Sequence, residues 1–243
     1  MPNFTYGTTT IEYDLEYKAD KRDISISVEW LNGVKVTAPQ KIDESQLESV
    51  LYKKAPWILQ KWNDCREIVD PPAPKEFVSG EKFSYLGRNY RLKVRKHDEL
   101  KKSKLVFWQG KFLADIPASY SDEERIEELK QLFKTWYKQH GESKLKERLD
   151  MYAGKLNVAP TKFALKEQKM RWGTCTSDNV IYLNWRIVMA PVPIIDYLLV
   201  HELTHIKHPN HSRDFWNCLY SIFPDYEQRK EWLRKNGPTL TIE

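Results

Sequence analysis

The residues of this sequence best suited to chemistry are His201-Glu202-Leu203-Thr204-His205, with a third histidine at His211. On a helix, residues four apart are offset by about 40° around the axis and about 6 Å along it, so the imidazoles of His201 and His205 can reach one ion. Glu202 projects about 100° away from His201, which suits it to a water beside the metal rather than to ligation. The spacing is that of two zinc ligands and a general base.

A third ligand has to come from beyond the helix. If the helix continued, His211 would lie about 120° around from His205 and about 9 Å further along, out of reach. Pro209 disfavours helical geometry at His208, so the helix is expected to stop near Lys207 and turn through Pro209-Asn210. His211 can then swing back under the metal. His208, beside the break, and Glu227 and Glu231, on the next helix, are the alternatives. Three protein ligands leave a fourth tetrahedral position for water, the mark of a catalytic zinc site rather than a structural one. The competing reading is a core helix that happens to carry two surface histidines.

Such a site needs a rigid frame. Pro193 to Lys207 supplies apolar residues at helical spacing, Ile194, Ile195, Leu198, Leu199, Leu203 and Ile206, with Pro191 and Pro193 suited to the helix start. Ahead of it, two strands are expected, Lys162 to Cys175 and Val180 to Trp185, joined by Ser177-Asp178-Asn179. Ser121 and Glu124 match a capping box, and Ile126, Leu129, Leu132, Phe133, Trp136, Leu145, Leu149, Tyr152 and Leu156 then keep the stripe of one long amphipathic helix. After the metal helix, Ser212 can cap a final helical pair, interrupted at Pro224 and ended by Gly237.

The first half reads as β-rich. Ile24, Ile26 and Val28 alternate with polar residues, Asn32-Gly33 offers a hairpin into Val34, and further hairpins are expected about Gly87 and Gln109-Gly110. One helix, from about Asp43 to Cys65, is expected to bend or split at Pro56, and Pro71-Pro72-Ala73-Pro74 breaks the chain. No internal repeat stands out. The 243 residues thus suggest an α+β chain of two domains. Residues 1–118 would form a β-rich N-terminal domain. Residues 119–243 would form a compact zincin-like metallopeptidase domain with a long helix, a short sheet and the HExxH helix.

The order helix, strands, metal helix, helix now carries a resemblance. Arg171-Trp172-Gly173-Thr174-Cys175, Leu183-Asn184-Trp185-Arg186, Ala190-Pro191, the histidine motif with Asn210-His211-Ser212, and Phe215-Trp216 together resemble the YgjP-like metallopeptidase family. That family is similar to the SprT and WLM groups of small zinc peptidases. The match covers most of the chain and is strongest from Met170 to Trp216; Thr174 departs from the usual serine but keeps a hydroxyl. The resemblance implies His201, His205 and His211 as ligands of Zn2+, Glu202 as general base, and a protein or peptide as substrate.

Other residues invite other chemistry. Arg171, His208, Tyr220 and Tyr226 are each able to steady an oxyanion, and the sequence does not choose among them. Cys175 as a nucleophile would need a histidine that the metal already claims. Gly173 suits either close packing around Trp172 or an edge strand that pairs with an extended substrate. Net charge is +5, much of it between Arg88 and Lys104, where Arg88, Arg91, Lys93, Arg95, Lys96, Lys101, Lys102 and Lys104 face only Asp98 and Glu99. That stretch keeps a rival class open, a nucleic-acid- or protein-binding module with a structural or vestigial zinc site, or a peptidase acting on nucleic-acid-associated proteins. There is no long apolar run for a membrane span and no signal sequence at the N-terminus; with three scattered cysteines, Cys65, Cys175 and Cys218, this makes a reducing, cytoplasmic setting the expectation.

Overall fold

The computed structural model describes residues 2–29, 33–66, 73–168 and 172–243. The fold is mixed α+β, and the chain divides into two compact units, Met1–Pro71 and Pro72–Glu243. In the first unit, β1 (Asn3–Tyr6), β2 (Thr9–Lys18), β3 (Ser25–Glu29) and β4 (Gly33–Pro39) form a sheet of order β1-β2-β4-β3, followed by α1 (Glu44–Arg66). Alternation drives it: Ile11, Tyr13, Val34, Val36 and Ala38 point inward against Leu47, Leu51, Ala55 and Ile58 of α1. Helix α1 is continuous through Pro56, so of the bend or split expected there the split does not occur. Asn32, half of the expected hairpin turn, lies outside the described residues.

The second unit opens with the same construction. Strands β5 (Lys82–Tyr85), β6 (Arg88–His97), β7 (Lys104–Trp108) and β8 (Lys111–Pro117) have the order β5-β6-β8-β7 and lead into α2 (Asp122–Leu156). The four strands have 4, 10, 5 and 7 residues in both sheets. Even the register repeats: Phe4 opposite Ile11 becomes Phe83 opposite Tyr90, and Lys18 opposite Pro39 becomes His97 opposite Pro117. The chain therefore contains a duplicated ββββα module, which corrects the expectation of no repeat. What repeats is the alternation of inward positions, filled by different residues: Tyr13, Val34 and Ala38 in one copy, Leu92, Phe112 and Ile116 in the other.

The second module belongs with the helices that follow it, so the division falls at the proline run and not at 118/119. Phe83, Leu92, Phe112 and Ile116 share one core with Leu129, Phe133 and Tyr137 of α2, and the rings of Phe83 and Phe133 stack with centroids 4.1 Å apart. Burying such aromatic area stabilises by about 25 cal/mol per Å², which ties sheet and helix into one unit. The capping box at Ser121 is formed, and Asn157 ends α2 in the left-handed conformation.

Beyond α2, β9 (Lys162–Lys166) and β10 (Gly173–Cys175) flank β11 (Val180–Asn184), parallel and antiparallel respectively. The single strand expected over Lys162 to Cys175 is thus two, separated by β11. A 3-10 turn, Trp185–Met189, leads into α3 (Val192–Thr204), followed by α4 (Arg213–Ile222) and α5 (Tyr226–Asn236). Asp196 on buried α3 is gripped by Arg148 and receives the Tyr152 hydroxyl at 3.0 Å, which locks α3 against α2. Among the described residues, no helix is long and apolar enough to cross a membrane.

Candidate metal centre

Helix α3 ends three residues before the expected Lys207. Ile206 N–H donates to Leu203 O (3.2 Å) and Lys207 N–H to Thr204 O (3.1 Å), so the chain tightens into i→i+3 turns ahead of Pro209. His205 becomes the cap of the helix. Its Nδ1 lies 3.3 Å from the carbonyl of His208, an arrangement in which Nδ1–H donates and the Nε2 lone pair is left for a cation. Ser212 then caps α4, its Oγ accepting from Phe215 N–H at 3.4 Å. This early start of α4 brings His211 back to the end of α3.

One nitrogen from each of His201, His205 and His211 lies within 4.8 Å of the other two, a set able to hold a metal ion. His211 Nε2 is 3.1 Å from His201 Nε2. Phe215, fully buried, supports all three rings, with centroids 5.0, 4.7 and 4.6 Å from His201, His205 and His211. Burial, joined by the neighbouring histidines and Lys230, lowers His201 to about 3; His205 and His211 are also lowered, first by burial. The lowering favours the neutral imidazole at each of the three, the form that binds metal. His208 does not join the cluster; its backbone carbonyl does the work. Glu231 is held by Arg234 and Lys235, and Glu227 accepts from the Tyr226 hydroxyl at 3.4 Å.

Glu202 is 4% exposed and lies against β10, where the Cys175 backbone favours its charged form. Burial pushes its carboxyl up to about 8, against the lowering by the Cys175 backbone. A dication held at the histidines would favour the charged carboxylate, so a base and a cation there support each other. The closeness of Glu202 to β10 depends on Gly173: a Cβ there would sit 2.3 Å from Glu202 Oε1. Burial and Glu202 also push the Cys175 thiol up, the opposite of what a thiolate nucleophile needs.

Several contributors escaped sequence reasoning. Tyr197, one helical turn before His201 on the same face, lines a cleft of about 360 Å³ with Trp172, Gly173, Glu202, Lys230 and Leu233. Its spacing was a usable signal; that of Lys230 was not. Asn184 clamps the cleft wall, its N–H donating to Trp172 O (2.8 Å) and its Nδ2 to Gln168 O (2.7 Å). Of the oxyanion candidates, Arg171 lies outside the described residues, Tyr220 is exposed, and Tyr226 stacks on Trp216 at 5.2 Å.

In the basic stretch, Arg91, Lys93, Arg95 and Lys104 share the outer face of the β5–β8 sheet with Lys82 and Lys111, as the cross-strand register requires. Arg95 is paired with Asp115 at 2.7 and 2.8 Å. The equivalents of Arg91, Lys93 and Arg95 in the first module are Glu12, Asp14 and Glu16.

Residues 22–236 match a family described as the YgjP-like metallopeptidase domain. Among solved structures, the chain is similar to the crystal structure of the metallopeptidase zymogen of Pyrococcus abyssi abylysin, at 24% identity over 36% of this chain and 86% of that one, with a TM-score of 0.33. No curated protein matches it.

Proposed function

This chain belongs to the YgjP-like metallopeptidase family, and on that premise we propose that it is a zinc-dependent peptidase. The reading rests chiefly on the three imidazoles gathered beside a buried glutamate. Three neutral nitrogen donors and an open fourth position suit zinc, with His201, His205 and His211 as the ligands. When bound, zinc supplies Lewis acidity to the scissile carbonyl and to the attacking water.

The rest falls to the chain's own residues. Glu202 takes a proton from the attacking water and delivers it to the departing amine, so that water adds across the C–N bond with no proton lost. Strand β10, at the edge of its sheet among the described residues, offers backbone groups to an extended protein or peptide segment beside Glu202. Unpaired Cys175 and Cys218 fit a reducing compartment such as the cytoplasm.

The test separates metal from chemistry. Purified protein should carry about one zinc per chain, lost on alanine substitution of any of the three histidines. Glu202→Gln should keep the zinc yet lose at least about 100-fold in hydrolysis. Zinc binding that survives His211→Ala and fails in Glu227→Ala would refute the ligand set.

A further inference from the structure

Among the described residues, the cleft beside the histidines is lined by one carboxylate, Glu202, and that carboxylate is buried. Its opposite wall is α5, which presents Lys230, Leu233 and Arg234 to the cavity. On this helix the acidic side chains are engaged elsewhere. Asp225 accepts from Arg229 at 3.0 Å, Glu227 from Tyr226, and Glu231 from Arg234 at 2.7 Å. Among the described residues, no carboxylate lies within ion-pair distance of Lys230.

Lys230 is nevertheless held in place. Its ammonium sits 5.2 Å over the ring of Trp216, a cation–π contact. Trp216 in turn stacks on Tyr226, at 5.2 Å, and on His211, at 5.4 Å. The lysine is thus fixed, through an aromatic stack, relative to one of the three histidines. A lysine that served only solubility would need neither the stack nor a place in the cleft wall.

We infer that Lys230 is a specificity residue that receives a substrate carboxylate, so that the peptides cleaved carry an acidic side chain or a free C-terminus close to the scissile bond. The inference rests on the peptidase reading above. Carboxylate is the ligand chemistry; side chain and C-terminus are its two sources.

The experiment uses full-length, zinc-loaded Glu202→Gln protein and measures binding of peptide pools that carry Glu, Gln or Lys at one fixed central position, each pool with a free or an amidated C-terminus. Carboxylate-bearing pools should bind best, and Lys230→Ala should weaken them by about tenfold or more, as loss of a charged hydrogen bond does, without changing amidated Gln pools or zinc content. Lys230→Glu should turn the preference toward Lys pools. Loss of the effect on amidation assigns the C-terminus, and loss on Glu-to-Gln replacement assigns the side chain. A wild-type cleft with no carboxylate preference, no peptide binding at all, or a preference that Lys230→Ala leaves within about twofold, would overturn the inference. Intact discrimination in binding, with no cleavage of any pool by the wild type, would instead count against the peptidase reading alone.

Discussion

Gly173→Ala makes the sharpest test of how the base is placed. Gly173 does not use the left-handed backbone region, so alanine adds only a methyl group. That methyl would lie 2.3 Å from Glu202 Oε1, 2.7 Å from Cδ and 2.8 Å from Cγ, where ordinary contacts begin near 3.4 Å. The carboxylate must retreat by about 1 Å, and because Glu202 is buried, it cannot swing into solvent. A displacement of about 1 Å in a catalytic group costs about 100-fold, or about 2.7 kcal/mol in the barrier. The expected result is therefore a loss of about two decades in kcat/KM on any peptide the wild type cuts. Zinc content should be unchanged, because no histidine is touched, while the melting temperature should fall, because a buried group is forced to shift. In a Glu202→Gln background the same methyl should cost little, since the group it displaces no longer acts as a base. Activity of Gly173→Ala within about threefold of wild type would refute this account, as would an equal hundredfold loss in both backgrounds.

Lys134 and Arg186 hold the Glu167 carboxyl near 2 despite the opposing effect of burial, against an ordinary 4.5, so its contribution to stability is full above pH 4.5 and disappears as pH falls toward 2. That span would be worth about 3 kcal/mol at full burial and about 1–2 kcal/mol here, with a third of the side chain exposed; Glu167→Gln should abolish this part of the acid sensitivity in urea titrations at stepped pH. Gly87 and Gly110 occupy equivalent hairpin turns at φ +77° and +71°, but a methyl on Gly87 would meet Pro191 Cα at 2.7 Å and one on Gly110 only Tyr90 at 4.0 Å. Both alanine variants should lose about 1 kcal/mol to backbone strain, and Gly87→Ala should lose more, together with zinc affinity; equal melting temperatures would count against docking of the turn on the start of α3. A chain beginning at Ala73 should fold and bind zinc, whereas one beginning at Ala118 should not, having lost Phe83 and Phe112 from the core; circular dichroism and metal analysis decide. The basic outer face of the β5–β8 sheet should bind single-stranded nucleic acid only weakly, with a log–log salt slope of about −0.7 per phosphate contacted, and Arg91→Glu with Lys93→Glu should remove it; tight, sequence-selective binding at physiological salt would refute that reading.

The metal helix was legible because the motif, the proline break and the serine cap are local signals, each acting over a few residues. Where α3 ends was less so, since the last turn tightens under Thr204 and Leu203 carbonyls that serve helical and 3-10 bonds equally well. The contact of Gly173 with Glu202 joins two segments nearly thirty residues apart, and no periodicity reports it. Lys230 was invisible for the same reason: its meaning lies in the carboxylates of α5 being paired elsewhere, which only coordinates show. The duplication escaped notice because residue identity was not preserved. Phe4 and Phe83, Tyr6 and Tyr85, and Pro39 and Pro117 are among the few equivalent identities, whereas alternation, which builds the sheet, survives any exchange of one apolar residue for another.

The two modules show how one construction takes on different work through its turn and its outer face. In the second, the β5–β6 turn uses positive φ at both Leu86 and Gly87, as a type I′ hairpin requires, and its N–H groups donate to Val188 O at 2.8 Å and Met189 O at 3.2 Å. The Tyr137 hydroxyl donates to Ser84 O at 2.6 Å from the other side. The hairpin thereby fixes the 3-10 turn from which α3 springs, and with it the direction in which His201 and Glu202 point. The first module turns instead through Gly7 and Thr8, with positive φ at Gly7 alone, and a methyl on Gly7 would meet nothing within 4 Å. Its outer face carries Glu12, Asp14 and Glu16 where the second carries Arg91, Lys93 and Arg95. Since the same backbone supports either sign of charge, the basic face is not a demand of the fold. The hairpin tip, by contrast, is bound into the frame of the candidate metal centre, so the second module acts as the mount of helix α3 rather than as a domain placed before it.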